Sequence, residues 1–463
     1  MYTLISEETV KRNIDTAEET LNNCFNMLID IKYATDTLGE AIMNFQPLLA
    51  DCLYDMMGFY QKLQAEKDYI ISQKSTWEQT LFKNAITNNA KYLKVVKETI
   101  TIGKTLGDAF AWFFYSKNRQ ELDMHFEHPS TGLFVAGVGG KGEIEFIKNN
   151  QNLEGLFVVY HGITDMLRIG DFSLYANGIG IVGVGELKSQ REGDRISITA
   201  NITSKVNINT PEGAASSDLS FGERIKLLEK SFPSLSKQIE AQDKLMKLKE
   251  SEHSSNFYAE YEYDIVNSLS QESPLALNTD NSLLLCAAWS KHISLFDILF
   301  DDEHVDTPEE LSNYVMELMK PESPYNEAII SEIDTRMFFQ RMPILWWEIN
   351  DKLCRDIYFK RVSISTVFNP AKLLRLFTDK GFRVVSIGKT KDIKLEKTAD
   401  GKCMEFGSLQ AFMDLIHHSM MRTDAVFSIA ERVIYDFESG KISPGTKVDM
   451  HIHLNNFGSM PEE

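Results

Sequence analysis

The stretch DFSLYANGIGIVGVGELKS, residues 171–189, decides how the middle of this chain folds. Its first half, DFSLYA, is rich in strand-forming residues, and Asn177-Gly178 are the turn residues of a tight hairpin. The returning run, IGIVGV, is nearly all apolar or small, as in a strand buried on both faces. It ends in GELKS. Residues two apart on an extended strand share a face, so Glu186 and Lys188 project together while Leu187 packs inward. The predicted hairpin therefore carries Asp171 to the same open end as Glu186 and Lys188.

Outward from the hairpin, LFVVYHGI (156–163) and RISITANITSKVNI (195–208) read as further strands, and GKGEIEFIKNN (140–150) as a short helix with Glu143 near its start. A polar, Lys-rich helical stretch spans roughly 221–268. Residues 1–103 hold a single proline, Pro47, and apolar stripes at helical spacing: Leu21, Cys24, Phe25, Met27, Leu28 and Ile31, then Leu49, Leu53, Met56, Met57 and Tyr60. They predict three or four helices forming a bundle or coiled coil that makes the chain a homo-oligomer. A further buried helix is expected over Leu106–Tyr115 (LGDAFAWFFY). QESPLALNTDNS (271–282) reads as a linker. Beyond it, 361–368, 369–381 and 382–388 read as strand, helix, strand, with Asn369 capping the helix and Gly381 ending it. The expected division is a helical region 1–103, a central domain 104–270 and an α/β accessory domain 271–463.

The net charge is −19, from 48 Lys and Arg against 67 Asp and Glu. Binding nucleic acid by bulk electrostatics is excluded at that charge, because such affinity rests on neutralising phosphates. A local basic groove (Lys226, Lys230 and Lys237 are candidates), a bound cation or a protein partner that delivers substrate has to supply the contact. No apolar run reaches the roughly 20 residues that a membrane helix needs, and MYTLISEETVKRNID lacks the pattern of a secretory signal. Five scattered cysteines without a CxxC pair argue against a disulfide framework or zinc site and fit a reducing cytoplasm.

Hydrolysis of a phosphodiester needs cations on the phosphate, an activated water and both held in line. Converging carboxylates suit Mg²⁺, and a lysine beside them stabilises developing charge. The order helix with Glu143, strand, strand opening with Asp171, strand with Glu186-Leu187-Lys188 resembles the PD-(D/E)XK superfamily. That resemblance implies a restriction-endonuclease-like mixed β-sheet with flanking helices, within a multidomain α+β and α/β chain. It implies Asp171 and Glu186 as ligands of Mg²⁺ or Mn²⁺, Lys188 as the catalytic lysine, and Glu143 as a supporting acid and further ligand. The function implied is metal-dependent hydrolysis of DNA, with RNA left open, and by analogy prokaryotic defence against phage or plasmids. The alternative is a non-catalytic nucleic-acid-binding or scaffold protein that keeps the fold. Two departures stand: residue 170 is Gly where the superfamily name has proline, and a strand rather than a helix follows Lys188. Glu121 and Glu145 compete with Glu143, and Asp165 with Asp171. Asp392-Ile393-Lys394 is the best decoy for the acid-x-Lys triplet. His417-His418 and His451/His453 offer metal-binding side chains without an evident third ligand.

Overall fold

Three long helices take up the N-terminal sequence: α1 (Glu7–Lys32), α2 (Leu38–Ser72) and α3 (Gln79–Phe114). Ser6 starts α1 by accepting the Thr9 N–H at 3.2 Å. Val10, Ile14, Ala17, Leu21, Cys24 and Leu28 then recur every three or four residues and are buried. The structure is a computed structural model that describes residues 3–115, 119–126, 128, 138–153, 155–177, 179–192, 195–204, 256–257, 260–301, 311–319, 328–336, 342–386, 393–399, 402–406, 409–441 and 453–454. Gly178, Lys226, Lys230 and Lys237 lie outside the described residues, as do Asp392 and His451.

The chain forms two compact units, Met1–Ser251 with Ser294–Asp301 and Arg336–Phe339, and Glu252–Ile293 with Asp302–Thr335 and Gln340–Glu463. In the first, α3 runs without a break through the boundary expected at 103, and its last turns are the helix expected over Leu106–Tyr115. They are the most buried part of the helix because aromatic rings on both sides need them. Phe110 stacks on Phe45 of α2 with ring centroids 4.3 Å apart, and Phe114 stacks on Phe157 at 4.9 Å. The apolar stripes expected to drive oligomerisation are thus spent largely inside one chain. Two short helices follow, α4 (Arg119–Phe126) and α5 (Val138–Asn149).

The sheet of this unit has five strands in sequence order: β1 (Asn152–Leu153), β2 (Leu156–Tyr160), β3 (Phe172–Ala176), β4 (Gly180–Glu192) and β5 (Arg195–Ser204). Every pairing in it is antiparallel. The mixed sheet that the resemblance implies is therefore corrected, among the described residues, to an antiparallel meander. The cause is local: β4 continues four residues past Lys188 and turns directly into β5, which pairs along it from Glu192↔Arg195 to Gly183↔Ser204, leaving no helical crossover between them. The β3–β4 hairpin is present, with Ala176 paired to Gly180 as its last pair; the expected turn residue Gly178 lies outside the described residues. β1 is too short to cover the far end of β2. Buried Gln46 takes its place, donating to the Val158 carbonyl at 2.8 Å and accepting the Tyr160 N–H at 2.7 Å.

The second unit also differs from expectation. Its strands 275–277, 283–289, 362–368 and 329–332 form one antiparallel sheet in that order. The stretch expected as a linker supplies one of them, with Leu275 buried. The strand, helix, strand reading of 361–388 holds at the level of elements (Val362–Phe368, Ala371–Asp379, Arg383–Ser386). The Asn369 side chain accepts the Ala371 N–H, and Gly381 has φ +84°. However, strand 362–368 is already paired on both sides, so strand 383–386 joins 393–399 in a separate antiparallel sheet. The expected α/β region is α+β. The helix Leu295–Phe300, placed by sequence in the accessory domain, packs instead in the first unit, where Lys11 holds Asp297 at 3.1 Å.

Candidate active site

The site is built at the end of the β3–β4 hairpin by backbone register. Phe172 pairs with Gly185, so the next position on each strand sets Asp171 beside Glu186. The Asp171 N–H donates to the Gly185 carbonyl at 2.8 Å, and its own carbonyl accepts the His161 N–H at 2.8 Å. Its side chain is fixed as well: the Leu187 N–H donates to Asp171 Oδ2 at 2.6 Å, between Glu186 and Lys188. Leu187 is buried while Glu186 and Lys188 are half-buried, as the strand alternation predicted. Gly185 is needed at its position because a Cβ there would lie 2.1 Å from the Phe172 ring.

Glu143 comes from the other side of the sheet. It sits on α5, whose Phe146 packs against Phe172 at 5.3 Å, and its Oε2 accepts the Tyr160 hydroxyl at 2.5 Å. Tyr160, Phe172, Gly185 and Leu187 share one face, which places Glu186 and Lys188 on the opposite one. The hairpin therefore joins Asp171, Glu186 and Lys188, while Glu143 reaches them through the charge of Asp171. Among the described residues, Asp414, His417 and His418 are the group of three whose ligand atoms lie within 4.8 Å of one another; Glu143, Asp171 and Glu186 do not draw together that closely.

Electrostatics ties the groups into one neighbourhood. Burial raises the carboxyls of Asp171 and Glu186 above their ordinary values, opposed by the Leu187 N–H at the first and by Lys188 at the second; the Asp171 charge raises Glu186 further. Glu143 is pushed up to about 7, first by burial and then by the charge of Asp171, against the bond from Tyr160. A carboxyl raised in the folded state contributes stability that is present below its unfolded value and lost as pH rises through the folded one. Glu143→Gln keeps an acceptor for Tyr160 and removes that loss. In metal-free buffer it is expected to melt with wild type near pH 4.5 and above it at pH 8. The gap opens between about pH 4.5 and 7, and reaches on the order of 1–2 kcal/mol after solvent screening. Melting curves at parallel pH values that never diverge would remove Glu143 from the neighbourhood.

No family model, no curated protein and no solved structure matches this chain.

The segment 161–171 that delivers Asp171 is held by a buried polar network that the sequence reading did not identify. Nδ1 of His125 accepts the N–H groups of Arg168 and Ile169 at 2.9 and 3.1 Å, so the ring carries its proton on Nε2, 3.2 Å from the Tyr115 hydroxyl. Nδ1 of His161 faces the Gly170 carbonyl at 3.0 Å and donates to it, leaving Nε2 to accept from Ser173 Oγ at 2.7 Å. Tyr115 and Ser173 close the chain at 2.7 Å. Protons thus run one way, His125 to Tyr115 to Ser173 to His161 to Gly170. Burial keeps both rings neutral, His161 lowered to about 4 and His125 lowered well below the ordinary value. Ser173 is wholly buried, which rules it out as a surface nucleophile despite its histidine. On the other side of the segment, Asp108 Oδ1 accepts the N–H groups of Asp165 and Met166, and Lys104 donates to Asp165 Oδ1 at 2.8 Å. Asp165, the competitor of Asp171, is therefore engaged in holding the loop. The missed signal was Lys104 and Asp108 themselves, one charge just before and one inside the buried run LGDAFAWFFY. The helix comes so close that a Cβ at Gly107 would lie 2.0 Å from the Ile163 carbonyl oxygen.

Proposed function

We propose that the chain is a metal-dependent nuclease that hydrolyses phosphodiester bonds of DNA, with Asp171 and Glu186 as metal ligands and Lys188 as the catalytic lysine. The observation that carries this reading is the Leu187 N–H bond to Asp171, which fixes a carboxylate from one strand between the acid and the lysine of the next. The donor set fits the ion: half-buried carboxylates, both raised by burial and Glu186 also by the charge of Asp171, offer hard oxygen atoms that suit Mg²⁺ or Mn²⁺. When bound, such an ion supplies charge neutralisation at the phosphate and a more acidic water. The protein's own groups do the rest. Asp171 is positioned by backbone on three sides. Lys188 lowers the cost of charge on Glu186 and presents a cation on the same strand face. Glu143 lies behind the sheet, bonded to the Tyr160 hydroxyl, and is itself raised by the charge of Asp171.

The non-catalytic reading keeps one observation in its favour, the separation of Glu143 from Glu186 across the sheet. Titration of full-length protein with Mn²⁺, followed by calorimetry, separates the two. A nuclease site binds the ion and loses it in Asp171→Asn and in Glu186→Gln. A chain that binds no Mn²⁺ at these residues and cuts neither plasmid nor single-stranded DNA is the scaffold.

A further inference from the structure

The second unit carries another cluster of metal-binding side chains, on the helix Gln410–His417. Asp414 and His417 are three residues apart and Asp414 and His418 four, the two spacings that share a helix face. His417 and His418 are adjacent and would normally diverge by about a quarter turn. Here, at the end of the helix, their ring centroids nevertheless lie 4.1 Å apart. One carboxylate oxygen and one imidazole nitrogen from each histidine come within 4.8 Å of one another.

A second observation points to a ligand. The His417 side chain is 1% exposed; its Nε2 lies 3.2 Å from Asp414 Oδ1 and interacts with that carboxylate, while its Nδ1 has no hydrogen-bond partner. A buried polar ring left in that state costs free energy that a bound ion would recover. Phe368 packs flat on the same ring at 5.9 Å and fixes its plane. Gln410 donates to Asp414 Oδ1 at 2.6 Å and orients the carboxylate, as outer partners of metal ligands do. The cluster lies at the C-terminal end of its helix, where the aligned peptide dipoles favour positive charge. Asp414 is 45% exposed and His418 half-buried, so an ion has a path from solvent.

We propose that Asp414, His417 and His418 form a binding site for a borderline divalent metal ion of the zinc type. Two imidazoles and one carboxylate select Zn²⁺ over Mg²⁺, which prefers oxygen alone, and three protein ligands leave a fourth position for water or a ligand. The site is independent of the nuclease reading, because it lies in the other compact unit and uses softer donors.

The test is a titration of chelator-stripped full-length protein with Zn²⁺ by calorimetry, repeated with Co²⁺ to read the ligand field from its visible absorption. Wild type is expected to bind one Zn²⁺ per chain in a manner unchanged by Asp171→Asn. Asp414→Asn and His418→Gln, both at partly exposed positions, are each expected to weaken binding by at least about tenfold and to alter the Co²⁺ spectrum. Their melting curves without metal check that they fold. Absence of Zn²⁺ binding in wild type overturns the proposal. So does an affinity and Co²⁺ spectrum that neither variant moves, or binding that disappears in Asp171→Asn.

Discussion

Lys188→Ala is expected to lower Mg²⁺-dependent DNA cleavage by roughly 10²–10³-fold, the loss that follows removal of one aimed electrostatic group from an active site. Folding should survive, because Lys188 is half-buried near the end of the hairpin and a single charge there contributes little to stability. Asp171→Asn and Glu186→Gln should lose cleavage by a different route, through weakened metal binding, so excess Mn²⁺ is expected to restore part of their activity and none of that of Lys188→Ala. The control is Lys394→Ala. That lysine belongs to the decoy triplet, but its ammonium is paired with Glu405, 20% exposed, in another sheet, and its loss is expected to be silent. Plasmid and single-stranded substrates with either metal give the measurement. Cleavage that persists at the wild-type rate in both Lys188→Ala and Glu186→Gln assigns the activity to another site.

The hairpin was legible because its signals are local. Alternation around Leu187, small residues on β4 and a turn at Asn177 all act within 20 residues, and β3 and β4 formed as read. The strand after Lys188 was legible for the same reason. What sequence did not show depends on distant partners. The boundary expected at 103 was placed where composition changes, but Phe110 and Phe114 must reach the sheet, so the helix runs on. Strand 383–386 was legible as a strand but not as a member of a different sheet, since that depends on 329–332 having already paired with 362–368. Glu143 was legible as an acid on a helix. Its place behind the sheet depends on Tyr160 and Phe172 sharing a face, which register alone decides. Asp414 is not legible beside His417-His418 because a regular helix places adjacent histidines about a quarter turn apart, whereas here the two rings lie 4.1 Å from each other.

Lys104→Met is expected to destabilise the first unit by about 3–5 kcal/mol, the usual loss when one member of a buried ionic group is removed, and to lower its melting transition by about 10 °C. Methionine keeps the length and apolar stem of lysine, so the effect isolates the charge. Lys104 is 4% exposed and donates to Asp165, while Asp108 behind it is fully buried. Burial raises the Asp108 carboxyl, the charge of Asp165 raises it further, and Lys104 opposes both along with the two backbone N–H groups. Without the lysine, two carboxylates face each other with one of them out of water. The pH dependence follows from the direction of that shift. A carboxyl raised on folding costs nothing while it is protonated in both states and costs progressively more as pH rises through its folded value. The deficit of Lys104→Met should therefore be largest at neutral and alkaline pH and shrink toward pH 4. Adding Asp108→Asn supplies the test of cause: asparagine still accepts the Asp165 and Met166 N–H groups through Oδ1 but carries no charge. The double variant is expected to regain part of the lost stability at pH 8 and to lose the pH dependence. Because this pair fixes the segment that ends at Asp171, the same recovery should appear in Mn²⁺ affinity. A double variant no more stable than Lys104→Met would mean that packing of the lysine stem, and not its charge, holds the segment.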